Sequence, residues 1–247
     1  MSAIQAQDHS KTTLGFAGCV THVLLLVLII FLAAWAFRWG WAEVLVAQPR
    51  SIMNSWSEGK PIPSEEEMDR LGRLLAKAQS LNKQNADIAF DRGRFAEWQA
   101  MQYPLWTELA HKHREEAIQH FREAIDIRPS WGMAWVHLAN SLILNQQLYS
   151  GGIDALEKAS VLAPLEGAVQ QRVIWLGLSQ WRHVDIEQRY LLRGIIENAL
   201  WYQRRLVKKA IVDFKLEEEL ADMLALDRNR ETLKQNLDKR KRLNKTW

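Results

Sequence analysis

Residues 117–164 read AIQHFREAIDIRPSWGMAWVHLANSLILNQQLYSGGIDALEKASVLAP, and this stretch contains one pattern twice. Ala117, Phe121, Ala124 and Pro129 recur 35 residues on as Gly152, Leu156, Ala159 and Pro164, with internal spacings of 4, 3 and 5 in both copies. Spacings of 3 and 4 put the first three residues of each copy on one face of a helix. The small residue lets a neighbouring helix approach closely, and the Phe or Leu fills the space between the two. Each proline lacks an N–H and clashes with the preceding turn, so it ends its helix. A fixed period of this size predicts stacked helix pairs, each too small to bury its apolar face alone, so that about three pairs make a stable core. The competing reading is a plain helical bundle whose alanines and prolines coincide.

Between the two prolines, Trp135, Leu138 and Ala139 stand where a tetratricopeptide repeat of about 34 residues carries Trp, Leu and Gly. Residues 117–164 resemble that family, with one extra residue in the turn around Tyr149 and Gly151. Upstream, LNKQNADIAFDRGR resembles the start of an earlier, degenerate copy. If Lys83 takes the place of the proline, Gly93 falls ten positions later, the same offset as from Pro129 to Ala139, while Arg92 replaces the leucine. Lys83 and Pro129 are 46 residues apart, so an insertion of about 12 residues beyond the regular period is expected around Met101 to Leu109 (MQYPLWTEL). Downstream, Gly167 to Leu178 and Asp185 to Trp201 have the lengths of another helix pair, although Gln170 and Ile174 depart from the consensus.

Nearer the N-terminus, Leu14 to Phe37 (LGFAGCVTHVLLLVLIIFLAAWAF) holds 24 positions without a formal charge. As a helix this run reaches about 36 Å, enough to cross a bilayer with some tilt. Trp35, Trp39 and Trp41 cluster with Arg38 at its end, where amphipathic rings and a snorkelling cation suit the headgroup layer. Two other readings remain for this run. Ala34-Trp35-Ala36 has the form of a signal-peptide cleavage site, although the run is about twice as long as a signal h-region; a buried soluble helix is the third. His22 and Cys19 are the polar groups inside the run, and a single neutral His there reads as a packing residue. Lys11 on one side faces Arg38 and Arg50 on the other, so charge does not decide the orientation. The thiol-free remainder of the chain suits an oxidising bacterial periplasm.

Gln48-Pro49 and Gly59-Lys60-Pro61-Ile62-Pro63 are breakers, so residues 38–63 read as a juxtamembrane linker with at most one short helix. Ser64-Glu65-Glu66-Glu67 has the form of a capping box, in which the serine takes the N3 amide and Glu67 reaches back to the Ser64 amide. The helix that follows carries Met68, Leu71, Leu74, Leu75 and Ala78 on one face. From Gln203 onward, Leu206, Val207, Ile211, Phe214, Leu220, Met223, Leu224 and Leu226 recur at roughly helical spacing in a charged stretch. The expected architecture is therefore all-α: a tail (1–13), a transmembrane helix (14–37), a linker (38–63), a tetratricopeptide-like α-solenoid (64–202) and a charged amphipathic helical extension (203–247).

Composition agrees with a helical chain. The 247 residues are 48% hydrophobic and 25% charged, with 12 Gly and 6 Pro, which excludes a largely disordered or collagen-like protein. The single cysteine, Cys19, excludes an intramolecular disulfide framework and a cysteine zinc site. Net charge is +3, and residues 204–247 concentrate it with 13 basic and 8 acidic side chains. The cluster Lys239-Arg240-Lys241-Arg242 reads as a solvated tail; no aromatics interleave it, so nucleic acid is not an expected partner. His111-Lys112-His113 sets two imidazoles on different sides of a helix and lacks a third ligand, so no metal and no cofactor are expected. No phosphate-cradling glycine loop, GxSxG elbow or cysteine nucleophile outside the apolar run is present. Carboxylate pairs that converge only in three dimensions stay open.

The short tail, single span, Trp-rich juxtamembrane stretch and the phrase SLNKQNADIAFDRGRFAEWQAM together resemble the small membrane-anchored repeat proteins of bacterial exopolysaccharide gene clusters, the polysaccharide-biosynthesis P family described in vibrios. The resemblance implies a non-catalytic accessory role beside glycan assembly, polymerisation and export, with protein components of that machine as partners. In a helical stack the first helix of each pair lines the concave side. The tetratricopeptide register then turns Asp87, Phe90, Arg94 and Glu97 of the earlier copy, and Met133, Val136, Asn140 and Ile143 of the better one, toward a groove. That groove suits an extended peptide or helix, with Arg94 able to engage a carboxylate; the same residues could instead pack against a capping helix. An assembly factor for pili or cytochromes and a helical glycan-modifying enzyme are the alternative readings.

Overall fold

The computed structural model describes the backbone of residues 2–221 and the side chains of residues 21–148 and 150–221. Among the described residues the chain is all-helical, with eight α-helices and no strand. It divides into two compact units, Met1–Ile88 and Ala89–Trp247.

The first unit is a long helix paired with a shorter one. Helix α1 runs Ser2–Ser57, and every side chain from 21 to 41 along it is exposed. This helix is long and apolar enough to cross a membrane, and the window that qualifies it is 0% buried; a signal sequence passes the same test. Beyond the apolar run the helix changes character. Ala42, Val46, Pro49, Met53 and Trp56, spaced 4, 3, 4 and 3 apart, are buried along one face. That face packs on helix α2 (Glu65–Leu81), whose buried residues Met68, Leu71, Leu75 and Ala78 repeat at 3, 4 and 3.

The linker expected at 38–63 is therefore mostly helix, and Pro49 lies inside α1 without ending it. A proline inside a helix costs about 3 kcal/mol. Burying a large apolar side chain contributes about 1.5–3 kcal/mol, so two members of this seam offset it. The chain turns only at Gly59, whose φ of 86° lies in the left-handed region at the helix end. Ser64 then caps α2 by accepting the Glu67 N–H at 3.4 Å. The reciprocal half of the box is replaced: the Glu67 carboxylate takes two bonds from Arg70, at 2.8 and 2.6 Å. Because α2 packs on α1, residues 64–88 belong with α1 and not with the repeat region to which the sequence reading gave them.

The second unit is built of successive helices that pack on one another. Helix α3 (Ala86–Met101) begins in the first unit and continues into the second; α4 is Glu108–Ile127, α5 Gly132–Leu144, α6 Ile153–Leu162, α7 Gly167–Gln180 and α8 Ile186–Asp213. Helices α4 and α6 stop two residues before Pro129 and Pro164. A single π-type turn, Leu148–Gly152, takes up the extra residue near Tyr149, with Gly151 at φ 119°. The insertion near Met101 is a short loop plus lengthened helices on either side, and Thr107 caps α4 by accepting the Ala110 N–H.

Small residues set the helix separations. A Cβ on Gly93 would stand 2.5 Å from the Phe121 ring, so α3 and α4 meet there with no room to spare. A Cβ on Gly132 would stand 2.5 Å from the Ala163 Cβ, which fixes the start of α5 against the end of α6. Helix α5 packs on α4, α6 and α7, while α8 packs on α6 and α7. One core runs through them, with Phe121, Leu142, Leu156, Ile174, Leu192, Ile196 and Ile211 fully buried.

Asp185 caps α8 through the Gln188 N–H at 2.9 Å. Gln203 breaks the helical geometry inside it (φ −130°, ψ 39°), at the position where the charged extension was expected to begin. The helix nonetheless continues, and Val207, Ala210, Ile211, Leu216 and Leu220 join the same core. Residues 203–221 are thus part of the helical unit, because their apolar face has α7 and α6 to pack against. The remainder of the extension, including the basic cluster 239–242, lies outside the described residues.

Candidate functional site

The helices α3, α5 and α7 are tied together by one polar network. His137 Nδ1 lies 2.7 Å from Glu97 Oε2, while Asn140 Nδ2 and Ser141 Oγ each donate to Glu97 Oε1 at 3.0 Å. Arg172 Nη1 lies 2.6 Å from His137 Nε2. Arginine can only donate, so Nε2 accepts and the proton sits on Nδ1, facing the carboxylate. Burial pushes the Glu97 carboxyl up, but the contact with His137 and the hydrogen bonds from His137, Asn140 and Ser141 outweigh it and hold the carboxyl below its ordinary value.

Local sequence explains the convergence. Glu97 lies one turn from Gly93, which packs tightly on Phe121 of α4, so its side chain starts beside the helix stack. His137, Asn140 and Ser141 sit 3 and 4 apart on one face of α5. Beside them Phe90, Phe121, Trp131 and His137 form an aromatic cluster, with the Phe90 ring 4.5 Å from Trp131 and edge-on to His137 at 5.1 Å.

The predicted groove residues meet different fates. Glu97 and Asn140 are brought together by a direct hydrogen bond. Phe90 (8% exposed) and Val136 (0%) are core side chains and offer no surface to a ligand, because the apolar face of α5 is needed by its helical neighbours. Met133 and Ile143 pack half-buried against that core. Arg94 lies 3.6 Å from Asp91 on its own helix. Asp87 stands in the first turn of α3, where its N–H donates to Asn85 Oδ1.

Sequence reading missed His137, Ser141 and Arg172. Their spacing from Glu97 is 40 residues or more; the polar set His137, Asn140 and Ser141, spaced 3 and 4 apart in a helix otherwise rich in apolar residues, was the one available sign. An acid, an imidazole and a hydroxyl lie close together here, yet Ser141 donates to the carboxylate and the imidazole Nε2 is taken by Arg172. The arrangement orients the carboxylate; it does not set the hydroxyl against a base in the manner of an activated nucleophile. Among the described residues no three His, Cys, Asp or Glu side chains come together in a way that could hold a metal ion.

The buried Arg114 shapes the loop between α3 and α4. Arg114 donates to the Leu144 carbonyl at 3.0 Å and to the Leu105 carbonyl at 2.6 Å. The loop is fixed from beneath while it presents Met101, Leu105 and Trp106 outward, Trp106 with 84% of its surface exposed.

Neither a protein-family model nor a curated protein sequence matches the chain.

Proposed function

We propose that this chain is a non-catalytic, membrane-tethered scaffold that binds a partner protein through a tetratricopeptide-like helical stack. Its setting is a bacterial exopolysaccharide assembly or export machine, with the helical unit on the periplasmic side of the inner membrane. The observation that carries the scaffold reading is the network Glu97–His137–Arg172. It joins α3, α5 and α7, the first helices of three successive pairs, and in stacked helical repeats those helices form the extended inner surface that receives a partner. The exposed apolar stretch of α1 supports the tether. The exopolysaccharide setting rests on the sequence resemblance.

The surface expected to receive the partner is the edge of this row, at the half-buried Met133 and Ile143 and the exposed Arg172, not the buried Phe90 and Val136. The test places a photo-crosslinking residue at Met133 or Ile143 of the full-length chain in its host membrane. Crosslinks to a polymerase or export component, together with loss of surface polymer when the gene is deleted, support the scaffold. Crosslinks to pilus or cytochrome assembly proteins, with polymer unchanged, overturn the exopolysaccharide setting.

A further inference from the structure

Phe31, Trp35 and Trp39 follow one another at intervals of four along α1, so they share a face. The Phe31 and Trp35 rings are 6.0 Å apart, and Trp35 and Trp39 meet edge-on at 5.2 Å. This aromatic stripe, with Ala34, forms one wall of an open cleft of about 490 Å³. The opposite wall is the end of α2 and the residues just after it, Leu81 to Gln84. None of the residues lining the cleft is acidic, and two, Arg38 and Lys83, are basic.

Arg38 is held in place. Its Nε donates to the Leu81 carbonyl at 2.8 Å and its Nη2 to the Ser80 carbonyl at 3.3 Å, so the guanidinium sits at the C-terminal end of α2, where a cation is favoured. Those two bonds use two of its five N–H groups, leaving three for another acceptor. Lys83 stands two residues beyond α2 and is exposed. The cleft therefore pairs an oriented guanidinium and an ammonium with an apolar wall that runs back along the exposed span.

We propose that this cleft binds an anionic phospholipid, the phosphate between Arg38 and Lys83 and an acyl chain along Phe31, Ala34 and Trp35. Fixed cations next to interfacial tryptophans match the chemistry of a lipid headgroup region. A free phosphate would use the cations alone and leave the aromatic wall in water; a lipid covers both. The inference rests on the reading of α1 as a membrane span.

The test uses the full chain reconstituted into vesicles of phosphatidylcholine with a minority of phosphatidylglycerol, floated on a gradient and then released for native mass spectrometry. The retained lipid is expected to be enriched in phosphatidylglycerol, and Lys83→Gln to lower that enrichment about fivefold, the worth of one basic side chain at an anionic surface. Lys83 makes no helix-capping bond, so this variant separates lipid binding from folding; Arg38→Gln, checked for unchanged helicity, is expected to act alike. Lipid retained in the proportions of the bilayer, or an enrichment indifferent to both substitutions, overturns the site and leaves the span standing. A chain that fails to float overturns the span and the site together. Displacement of the lipid by excess inorganic phosphate would assign the cleft to a free anion and equally overturn the proposal.

Discussion

His137 Nδ1 stands 2.7 Å from Glu97 Oε2 across 40 residues of sequence, and through that bond α3 and α5 share one carboxylate, its side chain 14% exposed. Asn140 and Ser141 add two more donors from the same face of α5. The carboxylate is the acceptor that all three require, so its removal is felt by each.

Glu97→Ala leaves three donors near the core without an acceptor and is expected to destabilise the helical unit by about 2–4 kcal/mol. Glu97→Gln keeps one acceptor oxygen but turns an amide toward the Nδ1 proton, and is expected to cost less. Urea unfolding followed by circular dichroism reads both. Asn140→Ala takes one donor from the Glu97 carboxylate and is also expected to lower stability, so it is a poor probe of a binding groove.

The pH dependence follows from two groups. The Glu97 carboxyl is held below its ordinary 4.5 in the fold, so its contribution is present above that pH and is lost as the pH falls through the lower folded value. His120 is held below its ordinary 6.5, chiefly because burial disfavours the imidazolium, with nearby Arg92 acting in the same sense and Glu123 opposing. The unfolded chain then takes up the proton first, so stability declines as the pH drops below 6.5. His120→Gln is expected to flatten that decline, and Glu97→Gln to flatten the one below 4.5; unfolding midpoints measured across the range check both slopes.

Gly132→Ala is expected to destabilise by about 1–3 kcal/mol, since the added methyl meets Ala163 Cβ at 2.5 Å and outweighs the better helix propensity of alanine. Adding Ala163→Gly to the same chain removes that contact and is expected to restore part of the loss. A double-mutant cycle of thermal midpoints measures the coupling.

Arg114→Met removes both bonds that hold the loop before α4, those to Leu105 and Leu144. Limited chymotrypsin digestion is expected to cut the variant at Leu105 or Trp106 several times faster than the native chain, while the helix content stays the same.

The parts of the fold readable in advance were those with local causes. Ser64 announces α2, Pro129 and Pro164 stop α4 and α6, and Gly93 marks a close approach through its offset from Lys83. The long apolar helix is readable because charge is missing from a run longer than any ordinary core helix needs. What could not be read depends on partners distant in sequence. Pro49 looks like a helix end until α2 covers its face, and α2 looks like a repeat helix until α1 claims its apolar side. The register put Glu97 and Asn140 on one expected groove, yet nothing local says that one binds the other, or that His137 and Arg172 extend the chain to a third helix.

The central claim, a helical scaffold held at the inner membrane with its helical unit in the periplasm, is tested most directly by joining the full chain to a periplasm-active or a cytoplasm-active reporter at its C-terminus in a bacterial host. The account predicts a full-length fusion that stays with the membrane fraction after alkaline extraction and is active only with the periplasmic reporter. Activity only in the cytoplasm, or a fusion shortened by cleavage near Ala36 and released as a soluble protein, would contradict it.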